Sequence, residues 1–493
     1  MRQTGDAIGK IGEMKEHKNL IGGRWCSPSG GDTLEIRNPA DQKLVLGVFP
    51  RSTPDDAQRA IAAAREAFPA WAQMPAPERG AILDKTSQII GSRMNDMAIM
   101  LTREEGKTIA EARAEITRAR DIFHYFGGEG WRMAGDVLPS TTKGELLYTR
   151  REPIGVIGVI TPWNFPIAIP TWKIAPALVY GNTVVFKPAS YTPLSGLMVV
   201  EALAEAGLPP GVVNFISGSG RVVGQEIASS PNVDGITFTG SFEIGSEIYG
   251  QAFRNMTRVQ LEMGGKNPLI VLAGARLDLA VDLTLRGGFG LTGQACTATS
   301  RVIVEENIAD DFSQAITTAA RSLVVGNGLN EKSQMGPAVS QDQLDRDLRY
   351  IQIGKEEGAK LLTGGEIVSG DGFFIQPTVF DMVDTRMRIA QEEVFGPVVC
   401  IIRAKDFDDA IQRANDTGYG LSAGIVTDTL SKAFDFADRI NAGVVKINEP
   451  TSGIAVNAPF GGFKHSSANT FKEQGRAAIE FYTRTKTIYL GRG

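Results

Sequence analysis

Residue types able to do covalent chemistry are scarce in this 493-residue chain. Its three cysteines are Cys26, Cys296 and Cys400, and its three histidines are His17, His124 and His465. An odd, sparse cysteine set makes no disulfide framework and reads as a reducing compartment. No Cys/His spacing fits a zinc motif, so no metal site is expected. Cys296 stands in Gly293-Gln294-Ala295-Cys296-Thr297-Ala298-Thr299-Ser300, a small, polar turn ahead of an apolar run. A lone cysteine is more often a small buried hydrophobe, but this setting suits an accessible thiol. A free thiol has a pKa of about 8.5, so a nucleophile here needs a positive local field. Glu262, in Leu261-Glu262-Met263-Gly264-Gly265-Lys266, precedes a Gly-Gly turn and is a candidate general base. Its competing reading is an ion pair with Lys266.

These groups need a scaffold. From Gly155 onward the pattern predicts strands over 155–160, 183–186, 212–216 and 235–238, with helices over 167–180, 192–206, 222–228 and 241–253. Such alternation is the signature of βαβ units in a doubly wound parallel sheet. Ligands of open α/β sheets bind beyond the carboxyl ends of the strands. Three turns fall there: Thr161-Pro162-Trp163-Asn164-Phe165-Pro166, Lys187-Pro188-Ala189-Ser190 and Phe238-Thr239-Gly240-Ser241. The third opens a helix and suits phosphate. It is not a P-loop, because Ser246 follows Gly245 where lysine is required. Gly218-Ser219-Gly220 with Gly224 misses the dinucleotide fingerprint by one position. Each glycine cluster alone is an ordinary loop; together, at consecutive strand ends, they favour a dinucleotide. A nicotinamide cation would supply the positive field that Cys296 needs. Ser190 is neutral where NAD-specific sites often place an acid, and Lys187 adds positive charge, so NADP is expected to be tolerated and even preferred. The competing reading is that Ser190 only caps the helix beginning near Pro193.

Thr53-Pro54-Asp55-Asp56 is a helix start, and one further helical pattern spans 77–116. Residues 143–151 alternate loosely, as an arm strand would. In the second half, strands are expected over 268–272, 301–305, 398–403 and 424–426, and helices over 277–290, 310–324 and 430–440, forming a second α/β domain. The net charge of −5, with 42% hydrophobic and 22% charged residues, excludes a disordered or collagen-like chain. It gives no field for nucleic acid or anionic lipid. Residues 1–18 lack the apolar core of a signal peptide. The most apolar stretch, 154–180, carries four prolines and Lys173, unlike a membrane helix. A cytoplasmic location is expected.

The chain resembles the aldehyde dehydrogenase superfamily over nearly its whole length. The resemblance is carried by Pro162-Trp163-Asn164-Phe165-Pro166, Lys187-Pro188-Ala189-Ser190, Phe238-Thr239-Gly240-Ser241, Leu261-Glu262-Met263-Gly264-Gly265, Gly293-Gln294-Ala295-Cys296, Glu392-Glu393-Val394-Phe395-Gly396-Pro397 and Pro459-Phe460-Gly461-Gly462, in family order. It implies a nucleophile at Cys296, a deacylating base at Glu262, and an oxyanion hole from the Asn164 side chain and the Cys296 N–H. Glu473 would be a second acid near the proton exit. The cofactor, NADP or NAD, would be held by Thr161, Pro162, Trp163, Lys187, Ser190, Gly220, Phe238, Gly240, Ser241 and Gly264, with Glu393 at the nicotinamide ribose and Phe395 at the ring. Phe165, Ile169, Trp172, Ala295, Thr297 and Phe460 would line the aldehyde site. The implied division is 18–130 with 154–264 for the cofactor, 265–463 for catalysis, and 131–153 with 479–493 as an oligomerisation arm. A homo-oligomer, dimer or tetramer, is expected.

Within the superfamily, the segment 294–301, Ile169-Pro170-Thr171-Trp172-Lys173 and the 471–482 tail are similar to α-ketoglutarate semialdehyde dehydrogenases. Such a substrate carries a carboxylate, for which Arg118, Arg120 and Lys173 are candidate anchors. Succinate semialdehyde and neutral aldehydes are alternatives. So are a CoA-acylating dehydrogenase, which would not need Glu262, and a non-catalytic relative, in which Cys296 or Glu262 would have decayed. His465-Ser466-Ser467-Ala468-Asn469-Thr470 departs from the short Gly/Ser turn of many relatives and puts the pocket rim in question.

Overall fold

The computed structural model describes residues 15–468 and 471–491. Residues 1–14, most of the segment read above as lacking a signal peptide, lie outside the described residues, as do Asn469 and Thr470 of the departing turn and residues 492–493 of the arm.

Two seven-stranded sheets organise the chain. The first runs in the order Arg258–Glu262, Gly235–Thr239, Val156–Ile160, Thr183–Lys187, Val213–Phe215, Asn19–Ile21, Arg24–Cys26. Its first five strands are parallel and the last two join antiparallel. Val156–Ile160 lies in the middle: the chain winds outward one way through Thr183–Lys187, then returns to Gly235–Thr239 on its other side. That reversal is the switch point at which such sheets open a crevice. The strands Val156–Ile160, Thr183–Lys187 and Gly235–Thr239 are buried along their whole length, as expected for sheets covered by helices on both faces.

The second sheet runs Lys360–Thr363, Thr378–Asp381, Val398–Ala404, Thr299–Glu305, Asn267–Val271, Ser422–Val426, Val444–Ile447. Only the Lys360–Thr363 edge is antiparallel. In a separate three-stranded sheet, Leu146–Pro153 is the central strand, paired with Thr483–Leu490 on one side and Val137–Leu138 on the other. The fold is thus α/β, with a doubly wound parallel sheet, a second α/β sheet and a small β appendage.

One expectation needs correction. The helical pattern over 77–116 is three helices, Ala76–Ser92, Met94–Glu105 and Ile109–Glu129. Gly106 ends the second in a left-handed conformation (φ 102°), and Thr108 with Glu111 forms a capping box that starts the third. Arg258–Glu262 is a strand that the sequence pattern did not flag. Its buried faces alternate Val259 and Leu261 with the polar Gln260 and Glu262, which disguises the apolar signal.

Candidate active site

The two sheets meet end to end, and the predicted chemistry gathers there. Glu262 is the last residue of Arg258–Glu262, and Met263–Lys266 crosses directly to Asn267–Val271 of the other sheet. Cys296 precedes Thr299–Glu305, which lies beside Asn267–Val271. The carboxyl ends of one sheet therefore face the amino ends of the other.

The Cys296 turn is held from several directions. Asn267 Nδ2 donates to the Cys296 carbonyl at 2.8 Å and to the Ala298 carbonyl at 2.9 Å. Thr451 Oγ1 donates to the Thr297 carbonyl at 2.7 Å. Gln294 Oε1 accepts from Val339 N–H at 3.0 Å. Leu291 and Thr292 (φ 54° and 57°) lead into Gly293 in left-handed conformations, the kind of strain that persists where surrounding structure over-determines it. Ala295 and Thr297 are buried, and Cys296 is half-buried. Gly265 faces the same carbonyl: a Cβ there would lie 2.6 Å from Cys296 O, and one on Gly264 would lie 2.1 Å from Glu393 Oε2. The Gly-Gly turn thus lets the Cys296 and Glu393 segments approach.

Asn164 Nδ2 donates to the Gln294 carbonyl at 2.9 Å. One amide hydrogen fixes the side chain against the Cys296 turn, leaving the other for an oxyanion. Lys107 positions this group, although the sequence pattern ran a helix through it. Its Nζ donates to the Asn164 carbonyl at 2.7 Å and to Glu115 Oε2 at 2.6 Å, and it lies 4.6 Å from the centroid of Phe165. Glu115 Oε1 in turn accepts from Ile167 N–H and Ala168 N–H at 2.9 and 3.0 Å, at the start of Ala168–Val179.

Burial pushes the Cys296 thiol up to about 12, with Glu393, Glu262 and Glu473 adding repulsion. The thiol is therefore neutral at pH 7 until positive charge arrives. Glu262 is pushed well above the ordinary carboxylate range by burial first and by the Glu473 charge second. Its Oε2 accepts from Gly462 N–H at 3.3 Å, and its Oε1 is buried without a hydrogen-bond partner among the described residues. Lys266 does not pair with it: that amine is buried without a hydrogen-bond partner among the described residues, and burial lowers it to about 8.

Lys173, a candidate anchor from the sequence, is not free. Its Nζ is paired with Glu473 and donates to Thr237 Oγ1 at 2.9 Å, with both ionic side chains buried. Arg120 is spent on Asp121 at 2.7 Å. Glu473 itself reaches the site through backbone bonds to Phe460, 2.7 Å each way. Phe460 meets Trp172 with ring centroids 6.0 Å apart, and Ile169 is buried in the same helix as Trp172.

At the switch-point side, Thr161 and Thr239 hydroxyls are buried without partners among the described residues. Lys187 Nζ is buried and, among the described residues, donates only to the Pro188 carbonyl, at 2.7 Å, and burial lowers it to about 8. Ser190 does not cap the following helix: Thr192 holds that position, and Ser190 Oγ donates to the Gly218 carbonyl at 3.2 Å. Gly220 opens a helical turn with free space at its Cβ position. Phe238 is buried, Gly240 follows its strand, and Ser241 caps Phe242–Phe253. Pro162 and Trp163 are half-exposed, and Trp163 packs edge-on to Phe395 at 5.3 Å, bridging the two halves. Glu393 accepts from Gly265 N–H at 2.8 Å, and burial raises it to about 7. Unused hydroxyls, an underused amine and a helix start suit a dinucleotide phosphate and ribose. Of the described residues of the departing turn, His465 stacks on Phe242 at 4.3 Å and Ser466 Oγ donates to the Gly264 carbonyl at 2.7 Å.

Residues 25–488 match the aldehyde dehydrogenase family. The chain is 46% identical to an alpha-ketoglutaric semialdehyde dehydrogenase of Bacillus subtilis, over 97% of this chain and 99% of that protein. It is 46% identical to a 2,5-dioxopentanoate dehydrogenase of Saccharolobus solfataricus, over 97% of this chain and 100% of that one. Among solved structures, a betaine aldehyde dehydrogenase of Staphylococcus aureus in complex with NAD+ superposes with a TM-score of 0.95 at 35% identity, covering 99% of this chain and 97% of that one. An NADP-dependent enzyme of E. coli superposes with a TM-score of 0.94 at 36% identity, covering 98% of this chain and 100% of that one. Sequence, sheet order and the convergence of Cys296, Glu262 and Asn164 at the junction agree: the chain belongs to the aldehyde dehydrogenase family.

Proposed function

We propose that the chain oxidises α-ketoglutarate semialdehyde to the dicarboxylic acid, with NAD+ or NADP+ as oxidant. The carrying observation is the Cys296 turn, clamped by Asn267 and Thr451 between the Asn164 carboxamide and the Gly264-Gly265 turn that follows Glu262. Two relatives named for this substrate support the choice of aldehyde. The Cys296 thiolate attacks the aldehyde carbon, and the oxyanion meets Asn164 Nδ2 and the Cys296 N–H. Removing one such donor typically costs about 2.7–4 kcal/mol of barrier. When bound, the nicotinamide supplies the two-electron acceptor that turns the Cys296 adduct into a thioester. Glu262 then takes a proton from the water that attacks the thioester, and the Glu473–Lys173 pair lies behind it as the route outward. Lys187, Ser190 and Ser241 hold the adenosine side, and Glu393 and Phe395 hold the nicotinamide side.

Because Ser190 is neutral and Lys187 lies beside it, NADP+ is accepted as well as NAD+. A panel of carboxylated and neutral aldehydes with both cofactors tests these assignments. Higher kcat/KM for every neutral aldehyde would end the semialdehyde reading, and unchanged NADP+ kinetics in Ser190→Glu would end the cofactor argument.

Residues 18–130 with 154–264, 265–463, and 131–153 with 479–493 form cofactor, catalytic and arm units. The arm sheet exposes Val137, Leu146, Tyr489 and Leu490, apolar area suited to a second copy of the chain. A homo-oligomer is expected, and a monomeric mass at micromolar protein would contradict it. Among the described residues no helix is long and apolar enough to cross a membrane. With all three cysteines free, a cytoplasmic location is proposed, to be checked by cell fractionation.

A further inference from the structure

We infer that Arg118, with the side chains of Gln474 and Trp172, receives the distal 2-oxo-carboxylate of the aldehyde substrate. The inference rests on the semialdehyde reading above. Of the three cations that could serve, Lys173 is spent on Glu473 and Arg120 on Asp121. Arg118 forms no ion pair among the described residues. Its Nη1 donates to the Ile454 carbonyl and its Nη2 to Gln474 Oε1 at 2.7 Å. Both acceptors are neutral. The acid whose charge reaches it, Asp121, is already engaged by Arg120. The guanidinium is half-buried without a counter-ion among the described residues, and an unpaired charge withdrawn from water seeks one.

Two more donors are orphaned beside it. Gln474 Nε2 and Trp172 Nε1 are buried without hydrogen-bond partners among the described residues, at 1% and 5% residue exposure. Buried N–H groups without acceptors are rare and call for an explanation. Gln474 also has a left-handed φ of 61°, a strained conformation pinned by the neighbouring Phe460–Glu473 backbone pair. The Arg118 Cζ lies 5.7 Å from the centroid of Trp172, whose ring meets Phe460. The donor set therefore sits against the aromatic pair assigned to the aldehyde site.

A cation and two unsatisfied donors, with no paired anion among the described residues, match a planar group rich in acceptors. A 2-oxo-carboxylate presents adjacent acceptor oxygens in a plane, suited to the guanidinium fork. A neutral alkyl aldehyde presents none. Arg118 thus selects substrate and takes no part in bond making.

The test is kcat/KM of the full-length enzyme for α-ketoglutarate semialdehyde and for pentanal, in wild type, Arg118→Met, Arg118→Lys and Gln474→Leu. The wild type should prefer the carboxylated substrate. Arg118→Met should lower the ratio of the two values by about 10- to 100-fold, chiefly through KM for the semialdehyde, as loss of a charged hydrogen bond implies. Arg118→Lys should recover part of it, and Gln474→Leu should lower it without touching the charge. An unchanged ratio in Arg118→Met, or an equal fall for both aldehydes in Arg118→Met and Gln474→Leu, overturns the inference while leaving the semialdehyde reading intact. A wild type that prefers pentanal overturns the reading itself, and the inference with it.

Discussion

Cys296→Ala is expected to lower kcat by at least about 10⁴-fold, the scale seen when an enzyme loses its nucleophile. Folding should survive, because the turn is held by backbone carbonyls of Cys296, Thr297 and Ala298 that the substitution keeps. Stopped assays and a thermal melt on the same sample separate the two effects; loss of activity accompanied by collapse of the melt would assign Cys296 to structure instead. The environment of the thiol adds a pH signature. Burial and three surrounding carboxyls raise it to about 12, so the protonated form dominates near neutrality and the thiolate fraction grows as pH rises. Alkylation of the cofactor-free enzyme at Cys296 by iodoacetamide should therefore quicken by about tenfold per pH unit from 7 upward. A rate that is already maximal at pH 7 would mean a thiolate stabilised by the protein alone.

Glu262→Gln is expected to separate the two halves of the reaction. The amide is nearly isosteric and still accepts from Gly462 N–H, but it takes no proton. One equivalent of reduced cofactor should appear per chain in a fast phase, followed by steady turnover reduced about 10²–10⁴-fold. The wild-type hydrolysis limb has a defined sign. Glu262 is held above the ordinary carboxylate range by burial and by Glu473, so its base form is populated only as pH climbs through that raised value. Hydrolysis should accelerate with pH in the wild type, and this limb should flatten in the variant. A pre-steady-state burst that is absent in Glu262→Gln, with kcat unchanged, would remove Glu262 from the mechanism.

The groups proposed to touch the reacting atoms were legible because they lie in short, contiguous motifs whose turns follow predictable strands. Cys296 in its small polar turn and Glu262 before Gly264-Gly265 are of this kind. The supports were not legible, because each acts across a large gap in sequence. Lys107 reaches Asn164 over 57 residues, and Arg118 reaches Gln474 over 356. Lys173 looked like a spare cation because its partner, Glu473, is 300 residues away. Ser190 could be read as a cap until Thr192 took that position. The signals that were present but unused are local: the Gly106-Lys107-Thr108 break inside a helical pattern, and Asn267 directly after the Gly-Gly-Lys crossing. Arg258–Glu262 was passed over because Glu262 and Gln260 occupy positions that an ordinary buried strand gives to apolar residues. The fold shows the same division: the alternating core of the first sheet follows from local pattern, whereas its antiparallel edge, Asn19–Ile21 and Arg24–Cys26, is recruited from the far end of the chain.

The central claim is a thioester on Cys296 formed from a carboxylated semialdehyde. Peptide mass spectrometry of Glu262→Gln enzyme, acid-quenched after mixing with NADP+ or NAD+ and α-ketoglutarate semialdehyde, tests it most directly. The expected result is one acyl group per chain on the Cys296 peptide, in step with reduced cofactor, and none in Cys296→Ala. Reduced cofactor formed in full burst amount with an unmodified Cys296 peptide would contradict it.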